Sequence, residues 1–179
     1  VISPQGDLKK LYENHGTGSP VSGFRVDDFS AKYTSAKKIP AGDYIIRANA
    51  DEGIRIYIDG KLVIDHWTVS QGNEVATKVT IEDQNISNLE EKDVHWIDVH
   101  YYESKGDSKI EFFMESYESA INNAWLGEIY PNPNLEGNPT VIGGKDSINP
   151  IPNLNFDWGT GSPSSTIPTD QFSARFVKN

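Results

Sequence analysis

Two acidic residues, Asp51 and Glu52, stand side by side and are followed at once by Gly53. Adjacent carboxylates on a tight turn can converge on one hard cation, with backbone carbonyls completing an oxygen shell. A solvated turn with no ligand is the other reading that this spacing leaves open. Further along lie Trp67 and the run "YYESKGD", which carries Tyr102, Glu103 and Asp107. Aromatic faces beside carboxylates suit a sugar, whose apolar ring faces stack on aromatic rings while its hydroxyls bind planar polar groups. One of Tyr101 and Tyr102 must point inward if the stretch is a strand, and Trp96 is assigned to the core.

Other chemistries find less support. His95 and His100 are five apart in an expected strand, so they face opposite ways and cannot share a metal. The chain has no nucleophile elbow, HExxH, P-loop or GxGxxG. It has no cysteine either, which excludes disulfides and thiolate chemistry. Paired carboxylates of the glycosidase kind stay open, because their separation is a property of the fold. The reading is of a module with no active site of its own. A net charge of -10 argues against nucleic acid and anionic membrane surfaces, and is compatible with calcium or neutral sugars. No apolar run approaches the length of a membrane span and Val1 opens no signal-like stretch, so membrane insertion is not expected. "NIS" at Asn85 is formally a glycosylation acceptor, but such triplets are frequent by chance.

The elements that must position these residues are strands. Ile and Val far outnumber Leu, and aromatics reach 11%. In "GIRIYIDGKLVIDHW" (Gly53 to Trp67), Ile54, Ile56 and Ile58 alternate with Arg55 and Tyr57, and Asp59-Gly60 supplies a type I′ turn, so a β-hairpin is expected. "AGDYIIRANA" (Ala41 to Ala50) and "VATKVTIE" (Val75 to Glu82) read as strands, and Asp83 to Asp93 as a polar loop. "VHWIDVHYYE" and "SKIEFFMES", joined through Lys105-Gly106-Asp107, read as a second hairpin. Trp125 to Tyr130 reads as a strand that opens a long Pro/Asn/Gly-rich stretch, followed by the strand "QFSARFVK". Short strands with turn signals between them point to an all-β sandwich or barrel.

The chain also repeats itself. "GTGSPVSGFRVDDFSA" (Gly16 to Ala31) lies over "GTGSPSSTIPTDQFSA" (Gly159 to Ala174) at an offset of 143, with ten identities in sixteen positions. The repeated loop is read as scaffold, and the chain as about one and a quarter units of a tandem array.

"FDWGTGSP…IPTDQFSARF" (Phe156 to Phe176), "IPAGDYIIRANADEGIRIYIDGKLVIDHW" (Ile39 to Trp67), "HWIDVHYYESKGDSKIEFFMES" (His95 to Ser116) and "WLGEIYPNPNLEGNP" (Trp125 to Pro139) resemble successive blocks of the PA14 domain. The resemblance implies an all-β, antiparallel β-sandwich of the jelly-roll kind: a non-catalytic module, found in bacterial secreted and surface proteins, that most often binds oligo- or polysaccharide. In the sugar-binding adhesin members two consecutive aspartates joined by a cis peptide hold calcium, and here those positions match Asp51 and Glu52, the second longer by a methylene. Ca2+ on Asp51 and Glu52, with Trp67, Tyr102, Glu103 and Asp107 around the sugar, is the expected site. The competing expectations are a structural or protein-interaction module of a toxin, sensor or surface protein, and an accessory domain of a polysaccharide or cell-wall hydrolase. Residues 1-118 are expected to form a sandwich lacking its opening strand and residues 119-179 the start of a following repeat. Residues 123-143 would complete the first sandwich, either within the chain or through a strand-exchange dimer.

Overall fold

A computed structural model describes residues 10–69, 71–84 and 92–179, with the side chain of Gln71 also outside that set. The Asn85 triplet and most of the expected polar loop around it lie outside the described residues. The strands are β1 (Lys10–Gly16), β2 (Phe29–Lys38), β3 (Gly42–Asp51), β4 (Gly53–Ile58), β5 (Lys61–His66), β6 (Gln71–Ile81), β7 (Val94–Glu103), β8 (Ser108–Ser116), β9 (Leu126–Tyr130), β10 (Thr140–Gly143) and β11 (Ser173–Val177), with one short helix, α1 (Tyr117–Ile121). They form two antiparallel sheets, a larger one ordered β1-β8-β3-β6-β10-β9-β11 and a smaller one ordered β2-β7-β4-β5. This is the all-β sandwich that the sequence implies.

Alternation builds the space between the sheets. Tyr44, Ile46, Ala48 and Ala50 of β3, Ile54, Ile56 and Ile58 of β4, Ile97, Val99 and Tyr101 of β7, and Ile110, Phe112 and Met114 of β8 share one core. At about 25 cal/mol per Å² of apolar area removed from water, this interdigitated layer is the main stabilising contribution to the fold. The expected hairpin is present, with Asp59 and Gly60 at φ of 50° and 78° turning β4 into β5.

β3 is buried on its second face as well. Ile45 joins Ala76, Ala120, Leu126 and Val141 in a separate cluster. Arg47, on the same face, pairs with Glu74 and Glu115 at 3.2 Å each. The helix and the far strands of the same sheet, β10 and β9, therefore form a layer that covers the second face of β3. The strand expected over Trp125 to Tyr130 is found at Leu126–Tyr130, reaching β6 through β10, where Thr77 Oγ1 donates to Pro139 O at 2.8 Å.

Two local expectations change. β7 and β8 do not pair as a hairpin: β7 lies in the smaller sheet and β8 in the larger, so the Lys105-Gly106-Asp107 turn carries the chain across the sandwich. Trp96 is not core. Its neighbours His95 and Ile97 point inward, so the two-residue period turns Trp96 out, 57% exposed.

Candidate functional site

Asp51 ends β3 in the larger sheet and Gly53 begins β4 in the smaller, so Glu52 is the residue on which the chain crosses between them. The crossing is tied to the next one. Asp51 pairs in register with Lys109 at the start of β8, and Gly53 with Tyr102 near the end of β7. The acidic doublet and the Glu103 to Ser108 connection thus share one end of the sandwich.

Glu52 is 5% exposed and Glu103 only 1%. A hydroxyl network holds this end together: Tyr101 Oη lies 2.7 Å from both Asp51 O and Glu103 Oε2, and 3.3 Å from Ser108 Oγ. Glu52 Oε2 and Glu103 Oε1 are buried with no hydrogen-bond partner. Two orphaned carboxylate oxygens at one end of a small domain are costly, since a buried acceptor left unmade carries its full desolvation penalty.

The electrostatics show the same crowding. Burial, then the charges of Glu52 and Asp107, push the Asp51 carboxyl above its usual range. Burial also leads for Glu103, with Glu52, Asp51 and Asp27 adding to the upward push and the Tyr101 hydroxyl opposing it. Tyr102 is raised by burial and by Glu52 and Glu103. Each shift has the sign that a bound cation would relieve.

The aromatic part adjoins this end. Trp67, just past β5, sits 4.8 Å from Tyr102 between ring centroids, and the Arg55 guanidinium lies 4.7 Å from the Trp67 ring centroid. Both rings are half-buried. Gly53 makes room for the arrangement, because a Cβ there would overlap the Tyr102 ring. Tyr101 is the inward member of the tyrosine pair and Tyr102 the outward one.

The structure therefore brings Asp51, Glu52, Trp67, Tyr102, Glu103 and Asp107 to one end of the molecule. The Asp51–Glu52 peptide is trans. Sequence reading overlooked Asp27, Ser108 and the hydroxyl of Tyr101. Asp27 comes from the loop read as scaffold, where its Oδ1 accepts from Gly106 N–H at 3.3 Å. Its one local signal is the Asp27-Asp28 doublet, two residues after Arg25.

The donor set suits a hard divalent cation, on the evidence of the two orphaned oxygens. Among the described residues no three His, Asp or Glu side chains converge tightly enough to hold a metal by themselves. Such an ion would draw the rest of its shell from backbone carbonyls, water or a ligand's hydroxyls. His95 and His100 are engaged elsewhere: His95 Nδ1 lies 2.6 Å from Asp59 Oδ2, while His100 tilts against Tyr57 at 4.8 Å.

Comparison with known proteins gives a consistent result. The PA14 domain matches over residues 9–120. No curated protein matches the chain. Two solved chains described as anti-sigma factor domain-containing proteins, the second from Clostridium clariflavum, align with 94% of this chain at 19% and 24% identity and TM-scores of 0.53 and 0.50. This chain spans 60% of the length of each. A PA14 sugar-binding domain from an RTX adhesin aligns over 51% of this chain and 48% of its own, at 21% identity and a TM-score of 0.43. The first two likenesses show the shared fold.

Proposed function

The chain belongs to the PA14 domain family, and from that premise we propose that it is a non-catalytic carbohydrate-binding module of a secreted or surface-attached protein, dependent on calcium. The observation that carries the proposal is the meeting of two orphaned, buried carboxylates, Glu52 and Glu103, with the half-buried Trp67–Tyr102 ring pair at one end of the sandwich.

Each group has a part. Glu52 and Glu103 would hold the ion through their orphaned oxygens, with Asp51 adding negative charge beside them, and the ion would supply a Lewis-acidic point where vicinal hydroxyls replace water. The rigid crossing at Glu52, fixed by the Tyr101 hydroxyl on Asp51 O, presents the carboxylates without a further ordering cost. Trp67 and Tyr102 offer an apolar face for a pyranose ring, and Arg55 and Asp107 line its rim. A shallow, wet site of this kind gives modest affinity per sugar, which repetition of the module along an array multiplies. Among the described residues no helix is long and apolar enough to cross a bilayer, so attachment to a surface would run through the ligand or through other parts of the protein.

The test is a glycan array probed with the full chain in millimolar calcium and again after chelation. Binding to neutral oligo- or polysaccharides that chelation removes is the expected result. Binding that survives chelation overturns the calcium dependence, and silence across wall, plant and host glycans in both conditions overturns the function.

A further inference from the structure

The structure contains its own template for how one unit of the repeat joins another. β11 stands 143 residues after Ser30–Thr34 of β2. Tyr33 Oη lies 2.9 Å from Glu13 Oε2, while Phe176 stacks on Phe156 at 5.2 Å, and Glu13 and Phe156 are themselves 143 apart. The two strands differ in their partners. β2 pairs with β7 and β11 pairs with β9.

Main-chain direction shows that these partners use opposite edges. In an antiparallel sheet the N–H and C=O of one residue point to the same side, and successive residues alternate. Gly144 N–H donates to Trp125 O at 2.7 Å, so Trp125, Gly127 and Ile129 turn toward β10. Leu126, Glu128 and Tyr130 then turn toward β11 and meet Val177, Arg175 and Ser173. On β7, Trp96 O accepts from Asp59 N–H at 2.8 Å, which turns its even-numbered residues toward β4 and its odd-numbered ones toward β2. Phe29, Ala31 and Tyr33 are the residues they meet. Ile39 N–H, bonded to Asp93 O at 2.7 Å, keeps that alternation, and only Asp28, at a φ of 53°, departs from it. Ser30, Lys32 and Thr34 therefore point their backbone groups away from β7, to an edge with no partner among the described residues. Their repeat equivalents Ser173, Arg175 and Val177 hold β9.

We infer that this free edge of β2 docks the opening strand, Leu126–Tyr130, of a second copy of the unit, so that the larger sheet of one copy runs on through β10 and β9 into the smaller sheet of the next. The side chains fit the transferred register. Lys32 would face Glu128, as Arg175 does now with Nε 3.2 Å from Glu128 Oε2. Tyr33 would face Gly127, whose missing side chain already makes room for Phe176. The neighbouring loop agrees. Ile167 is 5% exposed, while Phe24, 143 positions earlier, is 52% exposed alongside Val21 and Val26. The segment that runs from β9 into β10 reaches the second loop through Thr140 Oγ1 and Thr166 Oγ1, 2.7 Å apart. The same segment of a docked copy would lie beside Phe24.

In the full chain both edges of β9 are occupied, so a synthetic peptide of residues 124–143 is the probe that meets no competition from β11. The chain has no cysteine, which makes register-specific disulfide trapping clean. Ser30→Cys in the full chain should cross-link to the peptide carrying Tyr130→Cys about tenfold faster than to one carrying Glu128→Cys, since directly opposed Cα atoms lie within disulfide reach and the next pair does not. Lys32→Cys should reverse that preference. Both positions are exposed, so the variants keep the fold. Equal rates in every combination, or trapping by Ser173→Cys in place of Ser30→Cys, would overturn the inference.

Discussion

The ring of Tyr102 fills the space that a side chain on residue 53 would need, since a Cβ built on Gly53 would overlap Tyr102 Cε1 and Cδ1. Gly53 has ordinary negative φ, so the need for glycine is one of room and not of backbone conformation. Gly53→Ala should therefore swing a half-exposed ring aside at a cost of about 1 kcal/mol in stability, the usual scale of a point change. The Trp67 contact would go with it. Glycan affinity should fall by about tenfold, roughly 1.4 kcal/mol. Tyr102→Ala added to Gly53→Ala should cost little more, and full additivity in that double-mutant cycle would count against the coupling.

Glu103 gives the pH dependence. Its carboxyl is raised in the fold, so the native state keeps a proton to higher pH than the unfolded chain does. Stability then falls as pH rises above the ordinary glutamate value of about 4.3, and the loss is complete above the folded value. Glu103→Gln removes that penalty and should melt higher than the native chain at pH 7, with the gap closing toward pH 4. Calcium at roughly 100 times its Kd should stabilise the native chain by about 2.7 kcal/mol, or about 5 to 10 °C, and the variant by much less. Calorimetry that finds the native chain melting higher at pH 7, or an equal calcium shift in both, would remove Glu103 from the ion's shell.

The aromatic wall can be tested against an internal control. Trp67 packs on Tyr102 and Arg55, while Trp96 is more exposed than half and lies on the same sheet, six residues along β7 from the Tyr102 that pairs with Gly53. Trp67→Ala should lower glycan affinity by about tenfold, the scale of one aromatic stacking contact of about 1.4 kcal/mol. Trp96→Ala should leave it unchanged. Equal losses in a titration would mean that sugar contacts spread over the whole sheet face.

How far the sequence foretold this arrangement depended on whether the controlling contact was local. Asp59-Gly60 set the hairpin because its turn chemistry is complete within two residues. Lys105-Gly106-Asp107 has similar chemistry, yet the strands it joins belong to different sheets, and only the pairing of β8 with β3 decides that. The phase of β7 was legible: Ile97, Val99 and Tyr101 fix the inner face and exclude Trp96 from it. Asp51 and Glu52 could be singled out as a doublet before a glycine. Asp27 could not, because its place beside Glu103 is set by a bond to Gly106 across 79 residues.

The second face of β3 supplies the last prediction. "YIIRANA" reads as a nearly unbroken buried run because Tyr44, Ile46 and Ala48 face the sandwich core while Ile45 and Arg47 face the layer of α1, β9 and β10. Leu126 is fully buried in that layer. If the layer belongs to the same cooperative unit as the sandwich, Leu126→Ala should shift the whole urea transition by about 2 to 5 kcal/mol, the usual cost of a large-to-small core change. Tyr130 and the sandwich's Trp67 should report one midpoint, since a two-state domain unfolds together for every probe. A split curve, with only the first step moved by the substitution, would show that residues after Ser116 fold as an appendage, and that the burial of Ile45 adds nothing to the stability of the sandwich itself.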